Sequence, residues 1–434
     1  MRAAVSKSDA RRSFALNVFN GALFNFAARL IDPPLVLTWF VSQLTPSNLL
    51  VGLVTPLGQA CWLLPQVFFS THVQRLKRKM DAYAVAGAIR VVVWLLLAAV
   101  LWFVEASHII LFSFFLLYAL AWAVGGLAGL SFFDVTAKTI ATRRRGSLFA
   151  WRQFVGGLLG LGAGWVVRTV LNEPAFGFPR GHAILFLLYA LTITPALGAF
   201  IAIDEPSDEG PADDRSLGEQ LGQALGALRR DRMYQRYMTA RLALGLAEVA
   251  LPFYGIYAKR VLGAPDGMVG IYVAVRVAAQ LGFNLAWGRL SDRRGNQVVM
   301  RLMSIGGGLA ALSAIALVFV VNEIQLQSSL LPYLVVPLFL LNGSLLPAKI
   351  LSGSNFLLEL VPRGERPLYL GLSNTLMGIA VLVSGLGGLV VDALGFTGLF
   401  ALAAGLSAIA YVSAAGLPNT REILPSAECL ENTP

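Results

Sequence analysis

Residues 82–104 read AYAVAGAIRVVVWLLLAAVLWFV, with Arg90 as the one charged side chain among them. As a helix rising about 1.5 Å per residue, this stretch spans the roughly 30 Å hydrocarbon core of a bilayer. Alternation of polar and apolar residues, the mark of a transmembrane strand, is absent from it. With eleven other runs of this kind, the approximate spans are 14–42, 47–71, 82–104, 108–136, 147–172, 182–203, 237–260, 266–287, 298–320, 330–358, 367–391 and 394–416. The fold class expected is an all-α membrane protein of twelve transmembrane helices.

Composition agrees. Of 434 residues, 56% are hydrophobic and only 13% charged, against about 25% charged in soluble chains, and the mean hydropathy is +0.69. Lipid is the solvent for such a surface. The net charge of +10 is read as the excess of Lys and Arg in cytoplasmic loops, so no nucleic-acid partner is expected. Placing both termini in the cytoplasm puts 23 Lys and Arg in cytoplasmic segments and 4 (Arg168, Arg180, Lys259, Arg260) on the other side. The basic start with Arg2, Lys7, Arg11 and Arg12 precedes a run too long for a signal peptide, read as an uncleaved first span. Cys61 and Cys429 form no disulfide framework or metal spacing. No phosphate-binding loop, His-Glu-x-x-His helix or nucleophile elbow occurs, so neither an enzyme nor a resident cofactor or metal is expected.

The longest polar stretch, 204–236, opens with acids and prolines and continues as an amphipathic pattern with Leu217, Leu221, Leu225 and Leu228. It divides the chain into an N-terminal six-helix bundle (1–203), a cytoplasmic linker (204–236), a C-terminal six-helix bundle (237–416) and a cytoplasmic tail (417–434). A shift of 218 residues lays Pro34 on Pro252, Gly52 on Gly270, Arg75 on Arg293, Arg145 on Arg363 and Gly146 on Gly364. Such a parallel repeat suits two pseudo-symmetric halves.

Between the eighth and ninth runs stands Gly288-Arg289-Leu290-Ser291-Asp292-Arg293-Arg294-Gly295-Asn296-Gln297. This resembles the major facilitator signature G-x-L-x-D-R-x-G-R-K, with Asn296 and Gln297 replacing its final basic pair. The chain is thereby similar to major facilitator transporters, and the resemblance implies that Gly288, Asp292, Arg293 and Gly295 form a conformational latch. The matching loop of the first half is degraded: Ser70, Gln74 and Lys77 replace the first Gly, the Asp and the later Gly, while Arg75 remains. Gly156, Gly160 and Gly164 of the fifth run, and Gly371, Gly378 and Gly385 of the eleventh, form stripes that let helices approach closely.

A charge deep in the bilayer costs about 2.5–3.5 kcal/mol and is retained for pairing or function. Arg29 and Asp32 lie on one helix face just before the helix-breaking Pro33 and Pro34. Glu248, Arg276 and Lys349 also lie well inside their runs. Arg241, about one turn from the cytoplasmic end, is read as snorkelling, and the Asp134 and Lys138 pair, Arg90 and Arg152 are read as structural. The resemblance implies that the first, fourth, seventh and tenth helices line a central path, placing Arg29, Asp32, Glu248 and Lys349 around it. Phe24, Phe26, Trp39, Trp62, Phe253 and Tyr254 are candidate aromatic walls, although most such rings face lipid or pack.

The function expected is secondary active transport by alternating access, carrying a small organic solute across the cytoplasmic (inner) membrane. The excess of deep cations favours an anion or zwitterion. The solute's own gradient or protons are the candidate driving force, with Asp32 and Glu248 exchanging protons while Arg29 and Lys349 hold the anionic group. Membrane lipids are the surrounding partner, and a monomer is expected. Two rival classes use the same fold: a lipid or amphiphile flippase or drug-type efflux pump, and a non-transporting assembly factor or sensor.

Overall fold

The structure, a computed structural model, describes residues 7–76, 78–206, 226, 228–323, 329–361 and 366–419. The twelve hydrophobic runs are helical through most of their described residues. The helices are α1 (Lys7–Leu30), α2 (Thr38–Leu44), α3 (Asn48–Arg75), α4 (Lys79–Phe103), α5 (Ser107–Thr139), α6 (Thr142–Asn172), α7 (Arg180–Ile201), α8 (Arg232–Ala247), α9 (Leu251–Arg260), α10 (Met268–Arg294), α11 (Asn296–Glu323), α12 (Val336–Ile350), α13 (Phe356–Leu360), α14 (Arg366–Ser384) and α15 (Gly387–Ala415). Among the described residues, ten helical segments are long and apolar enough to cross a bilayer. The seventh run falls short because it is broken into α8 and α9 and carries Arg241 and Glu248. In the eleventh, only Gly371–Ser384 is apolar throughout.

Proline explains the breaks. Pro33 and Pro34 cannot donate an amide hydrogen, and the residue before a proline is pushed out of helical geometry. Asp32 accordingly sits at φ −47°, ψ 112°, and the chain turns through a π-helical segment, Pro33–Leu37, into α2. The Asp32 carbonyl takes up the amides of Leu35, Val36 and Leu37 at 3.2, 2.8 and 3.3 Å. In the seventh run the 3-10 turn Glu248–Ala250 separates α8 from α9, with Pro252 in the first turn of α9. A carboxylate thus stands at the break of the first helix in each half. The last two runs divide earlier than the sequence pattern suggests: α14 ends at Ser384, and Gly395, at φ +70°, breaks the helix that follows. Only glycine adopts that left-handed conformation without strain.

The chain forms two compact units, Met1–Asp213 with Ala264–Val277, and Asp214–Gly263 with Ala278–Pro434. The first ten residues of α10 therefore belong to the first unit. There α1 packs on α6 and α7, α4 on α5 and α7, and α3 on α5. In the second unit α8 packs on α14 and α15, and α11 on α12 and α15. Counted within each half, first pairs with fifth and sixth, and third with fourth and sixth, so these pairings repeat. Large apolar side chains point outward, Phe103 at 80% and Phe112 at 70% exposure, as a lipid solvent requires. The linker leucines Leu217, Leu221 and Leu225, together with Arg363, Gly364 and residues 420–434 of the tail, lie outside the described residues.

The glycine stripe of α6 is a seat for neighbouring helices. A Cβ on Gly156 would meet Asn25, one on Gly160 would approach the Arg29 stem at 3.3 Å, and one on Gly164 would lie 2.7 Å from the Gly270 carbonyl oxygen. Backbone cannot yield as a side-chain tip can. Gly164→Leu is therefore expected to destabilise the protein by about 1–3 kcal/mol, measured as a lower melting temperature of the purified protein.

Candidate functional site

Asp32 is 3% exposed and held from two sides. Arg276 Nη1, from α10, donates to its Oδ1 and Oδ2 at 2.8 and 3.0 Å, and Arg29 Nη1 donates to Oδ2 at 3.2 Å. Their side chains are only 9% and 15% exposed. The three-residue separation of Arg29 and Asp32 sets the first contact, whereas α10 supplies the second from 244 residues away. Two guanidiniums meet one carboxylate. Arg276 Nε is buried without a hydrogen-bond partner among the described residues.

The second unit holds a balanced pair. Lys349 Nζ, near the end of α12, reaches Glu248 Oε1 at 2.6 Å and Oε2 at 2.7 Å. Here the side chains are 31% and 26% exposed, so water reaches this pair more readily than it reaches Asp32. The structure therefore joins the five deep charges into two groups, Arg29–Asp32–Arg276 and Glu248–Lys349.

The segment resembling the family signature is helical to Arg294, the end of α10, and α11 resumes at Asn296; between them Gly295 takes φ +84° and its amide donates to the Ser291 carbonyl. The side chains of Asp292 and Arg293 are exposed and make no hydrogen bond or ion pair among the described residues. The two residues that depart from the signature carry the contacts instead. Asn296 donates to Glu359 Oε1 at 2.8 Å, and Gln297 donates to Asn419 Oδ1 at 2.8 Å.

Other charges resolve as structural anchors. Arg241 donates to Tyr237, Ser373 and Asn374, tying α8 to α14. Arg152 donates to Asn17 and Asn20 and lies over the Phe132 ring. Asp134 and Lys138, 2.7 Å apart, are joined by Lys79 and by a residue that composition alone places in the linker. Glu205, its side chain fully buried, accepts the Lys79 and Met80 amides at the start of α4 and Lys138 Nζ at 3.0 Å. An acid followed by proline after a membrane run is the available signal. Because it satisfies otherwise open amides at a helix N-terminus, Glu205→Ala is expected to cost about 2–3 kcal/mol, measured by thermal unfolding. Arg90 differs from all of these: it has aromatic neighbours and no carboxylate among the described residues.

The Major Facilitator Superfamily model matches residues 237–426. No curated protein matches the sequence at a significant level. Solved structures with a similar fold include a POT family transporter in complex with 5-aminolevulinic acid (TM-score 0.70, 11% identity, 93% of this chain and 95% of that one). A D-xylose-proton symporter gives a TM-score of 0.68 at 16% identity, covering 94% of this chain and 98% of the other. The nucleoside transporter NupG gives 0.61 at 16% identity, with 94% and 97% covered. Residues 237–426 thus match the Major Facilitator Superfamily model, and the chain as a whole is an integral membrane protein with the helical fold of the solved transporters it resembles.

Proposed function

We propose that this protein is a secondary active transporter that moves a small organic anion or zwitterion by alternating access. Its two six-helix halves, residues 1–203 and 237–416 joined by 204–236, rock about a midplane site. It resides in the cytoplasmic membrane with both termini inside, in accord with the Lys and Arg distribution. The observation that carries the substrate class is the convergence of two guanidiniums, Arg29 and Arg276, on Asp32 at this depth. Glu248 is the proton-exchanging carboxylate, since its Lys349 partner balances it and the pair retains access to water. Asp32, the other carboxylate considered for proton exchange, is clamped by two guanidiniums. Asp292 and Arg293, exposed here, engage when the protein changes conformation. The solved relatives bind or carry small molecules by their descriptions, a peptide conjugate, a nucleoside and a sugar among them, in keeping with a small-solute role.

A second reading is a membrane protein that keeps this fold without transporting. Burial of the Asp32 cluster favours it, and the partial exposure of Glu248 and Lys349 weighs against it. Thermal stabilisation of the purified protein by a panel of anions, cations, sugars and lipids at two pH values separates these readings, because a ligand that binds the folded state raises its apparent stability. Stabilisation by organic anions, weakened in Arg276→Gln, is expected. Stabilisation by cations or sugars alone overturns the substrate class, and stabilisation by lipids alone favours a lipid carrier.

A further inference from the structure

Arg90, in the middle of α4, is enclosed by aromatic rings from three other helices of the first unit. Its guanidinium carbon lies 5.5 Å from the Phe24 ring centre of α1, 5.9 Å from that of Trp122 of α5 and 5.6 Å from that of Tyr189 of α7. From α3, Trp62 joins them, its ring 6.0 Å from Trp122 and edge-on to it. Three glycines of α5 admit Trp62: a Cβ on Gly129 would lie 2.8 Å from its indole, one on Gly126 would collide with its carbonyl, and one on Gly125 would lie 3.1 Å from its ring and 3.4 Å from Arg90 Nη1. The box is built by helix packing, and it is not closed. Phe24, Trp62, Arg90 and Trp122 all keep partial exposure, although neighbouring helices surround them.

The charge balance is what sets this site apart. Among the described residues no carboxylate pairs with Arg90, and its Nε is buried without a hydrogen-bond partner. Aromatic faces attract a guanidinium but accept no N–H hydrogen bonds of ordinary strength. A cation at this depth is costly unless an anion completes it. The planar fork of a guanidinium matches a carboxylate, and the surrounding indoles offer flat apolar faces.

We infer that Arg90 and the rings of Phe24, Trp62, Trp122 and Tyr189 form a binding site for an aromatic carboxylate. The carboxylate meets the guanidinium, and the ring of the ligand lies against the indoles. The inference rests on the reading of the protein as a carrier of small organic anions and narrows the anion to one bearing a flat ring.

The test is intrinsic tryptophan fluorescence of the full-length protein in detergent, titrated with benzoate, acetate and benzylamine. Benzoate is expected to quench saturably. Acetate, which lacks the ring, and benzylamine, which inverts the charge, should each bind at least about tenfold more weakly. Arg90→Gln should weaken benzoate binding by about tenfold or more, with Arg90→Lys intermediate because the bidentate geometry is lost. Should Arg90→Gln fail to fold, Trp62→Phe supplies a second check, reducing the amplitude of benzoate quenching while keeping a ring in place. Equal quenching by benzoate and benzylamine, or benzoate affinity unchanged in Arg90→Gln, would overturn the site. Arg90-dependent benzoate binding by a protein that carries no solute in vesicles would uphold the site and remove the transport reading.

Discussion

Replacing Asp32 with Asn is expected to lower the stability of the folded protein by about 3–5 kcal/mol, the cost of removing one partner from a buried ion cluster. The carboxylate accepts from Arg29 at 3.2 Å and from Arg276 at 2.8 and 3.0 Å, and all three side chains are at most 15% exposed. The amide retains one acceptor oxygen but no charge, so two guanidiniums in a poorly solvated place lose the carboxylate they share. Melting temperature in detergent and the yield of folded protein from membranes both report the loss. Adding Arg276→Gln to Asp32→Asn removes one of the stranded cations and is expected to recover part of the stability, as the coupling term of a double-mutant cycle. A variant Asp32→Asn that melts with the parent protein would show that the cluster does not hold this part of the fold.

Glu248→Gln is expected to act on function instead. The pair with Lys349 is tight, 2.6 Å, yet a quarter to a third exposed, so its loss disturbs folding less than loss of Asp32. Gln cannot take up and release a proton. Accumulation of the solute driven by an imposed pH gradient should fall to the level of exchange without a gradient, while binding of the solute persists. Accumulation that survives in Glu248→Gln assigns proton coupling to another group or to none.

What can be read from the residues differs by the range of the interaction. The twelve runs are legible because bilayer thickness imposes a length on each helix, and the break after Asp32 because proline acts on its own neighbours. The contact of Arg29 with Asp32 follows from helical spacing alone. The contact of Arg276 with Asp32 and that of Lys349 with Glu248 join residues 244 and 101 positions apart. No local pattern encodes either, because each joins side chains from segments distant in sequence. Arg90 is inconspicuous for the same reason. Along α4 it is one cation in an apolar run, and its aromatic surroundings come from α1, α5 and α7. Glu205 falls in the linker by composition, although its carboxylate closes the start of α4. In the segment Gly288–Gln297 the glycine turn at Gly295 is legible, whereas the use of Asn296 and Gln297 as tethers is not, because their partners Glu359 and Asn419 come from remote segments.

Uptake into sealed proteoliposomes, with the organic anion that stabilises the purified protein supplied outside and an inward pH gradient imposed, decides whether the fold is used for transport. Saturable accumulation above that of protein-free vesicles, abolished by removing the gradient and absent in Glu248→Gln, is the result expected. A solute that binds the protein tightly but enters proteoliposomes no faster than empty vesicles would contradict the transporter reading and leave a binding or sensing role on a transporter fold.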